Sequence, residues 1–353
     1  MNNDEFYMRL ALQEARKGRF HTWKNPQVGA VIVKDGRVLA KGCHRQYGGF
    51  HAERAAISQL TSEQLLNSTL YVTLEPCAHF GKQPPCDQLV AKSGIRRVVI
   101  AQTDPHQLVH SKGIAYLKKQ GLAVTTGVLA DEAAELNSHY SYFYSHNRPW
   151  LTVKQAISLD GKVAAKINQR SQVTNEEVNA RVHQERADFH AIVIGSATAI
   201  IDNPSLLTSQ KQSHPPIRVV LDRRGRLLAH LDLKLLTDGQ APTWVITENK
   251  ELAAHRFDGD VSCFLSSGDD LQTLFDLMTA NELQSLYVEG GPTLAKSILD
   301  RYPVNELITY LDPRLLGRQA VPAAVAAKSH SFAYVSYEQL GQDLRIEERH
   351  EHV

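Results

Sequence analysis

The rhythm of hydrophobic and polar positions divides this chain into two halves. Val28 to Lys34 and Arg37 to Ala40 are apolar-rich runs on either side of Asp35-Gly36, a pair that tolerates positive φ and predicts a tight hairpin. Beyond it, Ala52, Ala55, Ala56 and Leu60 recur at helical spacing, so His51 and Glu53 are expected in the first turn of a helix. Thr69 to Leu74 reads as a buried strand, and Leu89, Val90 and Ile95 as the apolar face of a second helix. A helix is predicted from Asp131 to Tyr144. The segment Ser145-His146-Asn147-Arg148-Pro149 then breaks the pattern before a new apolar strand, Leu151 to Ala156. Two domains follow from that break, 1–146 and 147–353.

The second half alternates strands with helices. Ala191 to Gly195, Ile217 to Leu221, Thr243 to Thr247, Ser285 to Val288 and Leu307 to Leu311 are short β-branched runs. Asn175 to Glu185, Leu271 to Ala280 and Thr293 to Leu299 have helical periodicity, which predicts an α/β domain on a mainly parallel sheet. Val288-Glu289-Gly290-Gly291-Pro292-Thr293 follows a strand and opens a helix, so its free N–H groups face any anion placed there. No G-x-G-x-x-G follows a strand, which disfavours a Rossmann domain.

Composition narrows the picture a little. At 353 residues, 42% hydrophobic and 22% charged, the chain can bury two cores. A net charge of +1 without a basic run or basic–aromatic interleaving gives nucleic acid no electrostatic footprint, so a small-molecule substrate is expected. With no charged-then-apolar leader and no apolar stretch of ~18 residues, no membrane contact and a cytoplasmic location are expected. Oligomeric state is left open. Of four cysteines, Cys43 and Cys263 lie far apart, and no disulfide framework is expected.

The other two cysteines carry chemistry. His51-Ala52-Glu53, Glu75-Pro76-Cys77 and Pro84-Pro85-Cys86 bring three zinc donors and one spare carboxylate into a short segment. A catalytic zinc keeps three protein ligands and one open position, whereas a structural zinc fills all four. His51, Cys77 and Cys86 make three, leaving room for a water whose pKa the metal lowers towards ~7. Glu53 is then the acid/base. A structural zinc knuckle would need the same Cys and His but neither predicts Glu53 nor leaves a ligand vacant. His-x-Glu with Pro-Cys is the signature of the zinc nucleobase deaminases, in which that glutamate carries protons without touching the metal. Glu75 also reads as a strand-end carboxylate, and His79 as a solvated loop residue.

Cys77 and Cys86 stand nine positions apart rather than three, and this lengthened loop is the specific feature. Glu75 to Cys86 resembles the metal loop of the bifunctional riboflavin-biosynthesis deaminase/reductase family, except that Gln83 stands where the family has Thr. Asn25-Pro26-Gln27-Val28-Gly29 is similar to that family's substrate loop, which marks Asn25 as substrate-binding. In the second half, Ser158-Leu159-Asp160-Gly161-Lys162, Gly195-Ser196-Ala197-Thr198, Asp202-Asn203-Pro204 and the Gly290-Gly291 segment occur in the family's order.

The resemblance implies an N-terminal cytidine-deaminase-like domain, a C-terminal dihydrofolate-reductase-like domain, one Zn²⁺ per chain, and NADPH. It implies deamination of 2,5-diamino-6-ribosylamino-4(3H)-pyrimidinone 5′-phosphate, then reduction of the ribosyl side chain of 5-amino-6-(5-phosphoribosylamino)uracil to ribityl. By the same resemblance Ala156, Thr198, Asp202, Gly291, Pro292, Thr293, Leu294, Ala295, Lys296 and Ser297 line the cofactor. Arg186, Leu206 and Glu289 face the sugar phosphate, with Lys154 a neighbour.

The chain departs from the family at Arg170, Gln172 and Ser209 in the reductase half, and at His106 and Gln107 in the deaminase half. Arg223 and Arg224, after the strand ending near Asp222, meet either a 2′-phosphate or solvent. His183 and His190 read as surface or packing residues. Tyr140, Tyr142, Phe143 and Tyr144 read as an interdomain or subunit contact. Three other readings stay open at this point: a deaminase with a silent second domain, a deaminase of another base, and a non-catalytic zinc-stabilised nucleotide-binding protein.

Overall fold

The computed structural model describes residues 3–80, 83–107, 109–169 and 171–350. The chain divides into two compact units at Asn147/Arg148.

The first unit is built on five strands: β1 (Gly29–Lys34), β2 (Arg37–Cys43), β3 (Thr69–Leu74), β4 (Arg97–Gln102) and β5 (Ala123–Thr126), in spatial order β2-β1-β3-β4-β5. β1 is antiparallel to both β2 and β3, while β3, β4 and β5 run parallel. Asp35 and Gly36 have φ of 50° and 73°, the double positive φ that joins β1 to β2. Alternation sends the sheet's residues to two cores. Ala30, Ile32, Leu70, Val72, Val98 and Ile100 pack under the helices Ala52–Ile57, Cys86–Lys92 and Lys112–Lys119. Val31, Val33, Tyr71, Val99 and Ala101 pack under the helix Asn3–Ala15 and Ala133. With both faces covered, these strands read as continuous apolar runs.

One glycine brings the site-bearing helix onto the sheet. A Cβ on Gly42 would sit 2.4 Å from the Ala52 carbonyl oxygen and 2.5 Å from the Ala56 nitrogen, so only glycine lets Ala52–Ile57 approach β2 this closely.

The second unit carries β6 (Trp150–Ser158), β7 (Lys162–Ala164), β8 (Ala191–Gly195), β9 (Ile217–Leu221), β10 (Thr243–Thr247), β11 (Val261–Leu265), β12 (Ser285–Val288), β13 (Glu306–Asp312), β14 (Val321–Pro322), β15 (Tyr334–Leu340) and β16 (Asp343–Arg349). Nine of them form one sheet, β11-β10-β9-β8-β12-β6-β13-β16-β15, and β7 pairs with β14 in a small ribbon. β11 through β13 are parallel; β16 and β15 add an antiparallel edge. Leu151, Val153, Val193, Val219, Ile246, Leu286 and Val288 pack with Leu274, Met278 and Ile298 in the main core. Helix starts follow the capping chemistry: Asn175 accepts the Val178 N–H at 3.0 Å, Asp269 accepts those of Leu271 and Gln272, and Pro292 occupies the first turn after Gly291.

Two expectations are corrected. The helix expected from Asp131 to Tyr144 is two helices, Ala130–Leu136 and Ser138–His146, because the Asn137 side chain accepts the Gln27 N–H and donates to the Gln27 carbonyl. The strand–helix alternation does not reach the C-terminus, which ends in the β15–β16 hairpin. Tyr140 and Phe143, of the run read as a contact surface, are buried, and Tyr140 donates to Asp104 at 3.0 Å.

Candidate active sites

In the first unit, three donors converge from three elements. His51 is the N-cap of the helix Ala52–Ile57, Cys77 follows β3, and Cys86 is the first residue of Cys86–Lys92. His51 Nδ1 lies 3.4 Å from Cys77 Sγ and 3.5 Å from Cys86 Sγ. A tetrahedral zinc with Zn–S of roughly 2.3 Å and Zn–N of roughly 2.05 Å separates sulfur from nitrogen by about 3.6 Å, so these residues fit the ion. The three ligand atoms all lie within 4.8 Å of one another, and no other such group of His, Cys, Asp and Glu occurs among the described residues.

The Cys86 backbone N–H donates to Cys77 Sγ at 3.3 Å. The hydrogen bond between the two side chains lowers the Cys77 thiol and, with burial, raises that of Cys86.

Glu53 sits in the first turn of the same helix, 3% exposed, its carboxyl pushed up to about 7 by burial and then by the charge of Cys77. His44, which sequence reasoning missed, closes the other side. Its ring meets that of His51 edge to face at 5.5 Å, its Nδ1 donates to the Phe50 carbonyl at 2.9 Å, and its Nε2 accepts from Asn25 Nδ2 at 3.0 Å. That pattern requires a neutral imidazole, and burial lowers its pKa accordingly. As one of 16 histidines, His44 carries no sequence signal except its position just beyond β2.

Glu75 is structural: it accepts the N–H groups of Asp104, Ser111 and Ile114 at 3.0–3.2 Å and ties down the loop after β4. His79 is exposed, facing His106 at 6.4 Å, and His106 stacks on Tyr144 at 4.2 Å. Gln107 is exposed. Gln83 donates to the Gly48 carbonyl at 3.3 Å, while Gly81 and Lys82 lie outside the described residues.

In the second unit, a cavity of about 790 Å³ lies at the C-terminal ends of β6, β8, β9 and β12. That is where open parallel sheets bind ligands. Ala156, Thr198, Asp202, Gly291, Pro292, Thr293, Leu294, Ala295 and Ser297 line it, as do Lys154 and Glu289. Lys296 pairs with Asp300 one turn along its helix instead. Arg186 is buried and holds Glu289 through two bonds, 2.6 and 2.9 Å, while donating to the Leu207 carbonyl at 3.1 Å.

Burial pushes the Glu289 carboxyl up, but the Arg186 guanidinium outweighs it and holds the group below its ordinary value. Burial lowers the Lys154 ammonium. Leu206 is buried at φ 52°, a strained value for a leucine, in the segment that meets Arg186. His183 bonds the Leu207 carbonyl at 3.0 Å, and the Ser209 N–H bonds the His183 carbonyl at 2.9 Å. His190 packs on Ser285 at 3.1 Å. Arg170 lies outside the described residues.

Two family descriptions match these two units. Residues 1–102 match the cytidine and deoxycytidylate deaminase zinc-binding region, and residues 149–346 match the RibD C-terminal domain. The riboflavin biosynthesis protein RibD of Bacillus amyloliquefaciens is 35% identical over 97% of this chain and 95% of its own length. The chain belongs to the RibD family.

The Escherichia coli RibD is 34% identical over 90% of the chain and 89% of its own length. Among solved structures, Acinetobacter baumannii RibD superposes with a TM-score of 0.87 at 33% identity, covering 98% of each chain. A Thermotoga maritima diaminohydroxyphosphoribosylaminopyrimidine deaminase/5-amino-6-(5-phosphoribosylamino)uracil reductase gives 0.88 at 30% identity, again covering 98% of each. As in the RibD family, a cytidine-deaminase-like domain precedes a dihydrofolate-reductase-like one, with zinc in the first and NADPH in the second as cofactors. No helix among the described residues is long and apolar enough to cross a membrane.

Proposed function

We propose that the chain is a bifunctional enzyme of riboflavin biosynthesis whose first unit deaminates 2,5-diamino-6-ribosylamino-4(3H)-pyrimidinone 5′-phosphate. The second unit reduces the ribosyl side chain of the product with NADPH. The observation that carries the reading is the donor trio at zinc spacing with a buried carboxylate beside it, in a chain similar to RibD proteins over 97% of its length.

His51, Cys77 and Cys86 would hold zinc, which supplies an activated water at neutral pH. Glu53 is held on the His51 helix but is not one of the donor trio, as a proton carrier must be. It takes the proton of the attacking water and delivers it to the departing amine, so that water adds at the amino-bearing carbon and ammonia leaves. Asn25, braced by neutral His44, orients the pyrimidine.

In the second unit, NADPH supplies a hydride. The chain's own part is to hold and charge-balance the substrate: the buried Arg186–Glu289 pair presents a fixed polar surface to the sugar phosphate, and Lys154 handles the proton. The test is a coupled assay on zinc-loaded protein, with the diaminopyrimidine supplied and ammonia release and NADPH absorbance followed together. Both signals are expected. Ammonia without NADPH loss would refute the reductase half, and neither signal would refute both.

A further inference from the structure

We infer that Asn137 is a positioning residue of the deaminase reaction: its side-chain amide clamps the loop that carries Asn25 and so sets how tightly the first unit holds its pyrimidine. This rests on the reading of Asn25 as the residue that orients the substrate.

The loop has no regular structure to hold its middle. Residues 26–28 belong to no helix or strand, and Pro26 has no N–H to donate. The two ends are tied to neighbouring elements. The Asn25 N–H bonds the Thr22 carbonyl at 3.0 Å, the His44 N–H bonds the Val28 carbonyl at 2.9 Å, and the Gly29 N–H bonds Thr73 Oγ1 at 3.1 Å. Between them, both backbone groups of Gln27 go to a single side chain. The Gln27 N–H donates to Asn137 Oδ1 at 2.8 Å, and Asn137 Nδ2 donates to the Gln27 carbonyl at 2.9 Å. Two bonds from one planar amide fix the orientation of the loop as well as its distance. Asn137 is buried, so losing either bond leaves a backbone group without water to replace it.

The helical run around Asn137 is interrupted at this residue alone. It separates the helices Ala130–Leu136 and Ser138–His146 and adopts φ −123° and ψ 35°. Its backbone still serves both: its N–H bonds the Ala134 carbonyl at 3.1 Å, and its carbonyl accepts the Ser141 N–H at 2.8 Å. The Gln27 side chain adds a third tie, its Nε2 donating to the Leu136 carbonyl at 3.3 Å.

The clamp delivers Asn25, two residues before Gln27. One hydrogen of the Asn25 amide goes to His44 Nε2 at 3.0 Å, and the His44 ring lies 5.5 Å from that of His51. An asparagine amide has a second hydrogen and a carbonyl oxygen besides, the donor–acceptor pair that an aminopyrimidinone edge matches. His51, Glu53, Cys77 and Cys86 are borne by other elements. Slackening the loop therefore acts on substrate binding rather than on the zinc chemistry.

The test is steady-state ammonia release by zinc-loaded full-length protein, comparing wild type with Asn25→Ala, Asn137→Ala, Asn137→Asp and the double variant Asn25→Ala/Asn137→Ala. Zinc content and NADPH oxidation with the deaminated intermediate are followed alongside. Asn137→Ala is expected to raise KM about tenfold, with kcat within about threefold and zinc content unchanged. Asn137→Asp keeps the acceptor but sets a carboxylate against the Gln27 carbonyl, and it too is expected to raise KM. In the Asn25→Ala background, Asn137→Ala is expected to raise KM by less than about twofold, because the group it positions is gone. An unchanged KM in Asn137→Ala, or the same rise with and without Asn25, overturns the positioning role. Loss of zinc or of soluble protein in both Asn137 variants overturns it as well, making Asn137 a residue of the fold alone. An unchanged KM in Asn25→Ala overturns the reading of Asn25, and the inference with it.

Discussion

Gly42→Ala isolates the contact that sets the deaminase helix. The added Cβ would lie 2.4 Å from the Ala52 carbonyl oxygen and 2.5 Å from the Ala56 nitrogen, both backbone atoms that cannot rotate away. Ordinary contact begins near 3.4 Å, so the helix Ala52–Ile57 must retreat from β2 by about 1 Å. His51 and Glu53 ride on that helix, whereas Cys77 is fixed by β3, so the shift falls directly on the His51–Cys77 spacing of 3.4 Å. Overpacking of this kind costs about 1–3 kcal/mol, a drop of roughly 3–10 °C in the melting temperature of the first unit. A catalytic group displaced by ~1 Å loses on the order of a hundredfold in rate. Ammonia release and zinc content should therefore both fall, while NADPH oxidation with the deaminated intermediate stays at the wild-type rate. Wild-type ammonia release with full zinc content and an unchanged melting temperature would show that this contact does not position the helix.

Four further outcomes are expected. Glu53→Gln should cut ammonia release by about 10²–10⁴-fold with zinc content unchanged by atomic absorption, and a zinc-loaded variant that deaminates at the wild-type rate would refute the role of Glu53. Chelation of zinc should abolish ammonia release yet spare NADPH oxidation; loss of both would place a metal dependence in the second unit. Arg186→Met strands the buried Glu289 carboxylate, so the second unit should lose about 3–5 kcal/mol in denaturant melts as well as NADPH oxidation, and a stable, active variant would refute the pairing. Hydrogen bonds from Arg97 hold the Asp4 carboxyl below its ordinary 3.8, so its stabilisation is present above pH 3.8 and lost as pH falls through the lowered value; Asp4→Asn should melt lower than wild type at pH 7, with the gap closing in acid.

What could be read of the fold depended on how each element earns its stability. β3 appears at Thr69–Leu74 as expected because a strand buried on both faces must be apolar throughout. β11 was missed: as the sheet's outer strand it is only half-buried, and Ser262 and Cys263 interrupt its pattern. The C-terminal hairpin was missed because its inward face is charged. Arg345 bonds Glu185 at 2.7 Å and Arg349 bonds Glu306 at 3.0 Å, so polar residues fill positions that binary patterning assigns to solvent. The break at Asn137 depends on Gln27, 110 residues away, and no local rule contains it.

The same division explains the sites. The zinc donors were legible because the ion dictates residue type, and the spacing from Cys77 to Cys86 is a local property of one loop. His44 was not, because its value lies in two partners, Asn25 and Phe50, that only the fold brings to its ring. Arg186 and Glu289 could be named only through resemblance: they are 103 residues apart, and neither residue type implies the other. Once paired, each accounts for the other's burial, since a guanidinium and a carboxylate this deep are tolerable only together. Lys296, named in the cofactor run, lies outside the cavity lining. A run of consecutive residues assigned to a cofactor cannot all face it from a helix, where neighbours diverge by about 100°. Lys296 is the member of the run from Gly291 to Ser297 that turns outward, towards Asp300 one turn on.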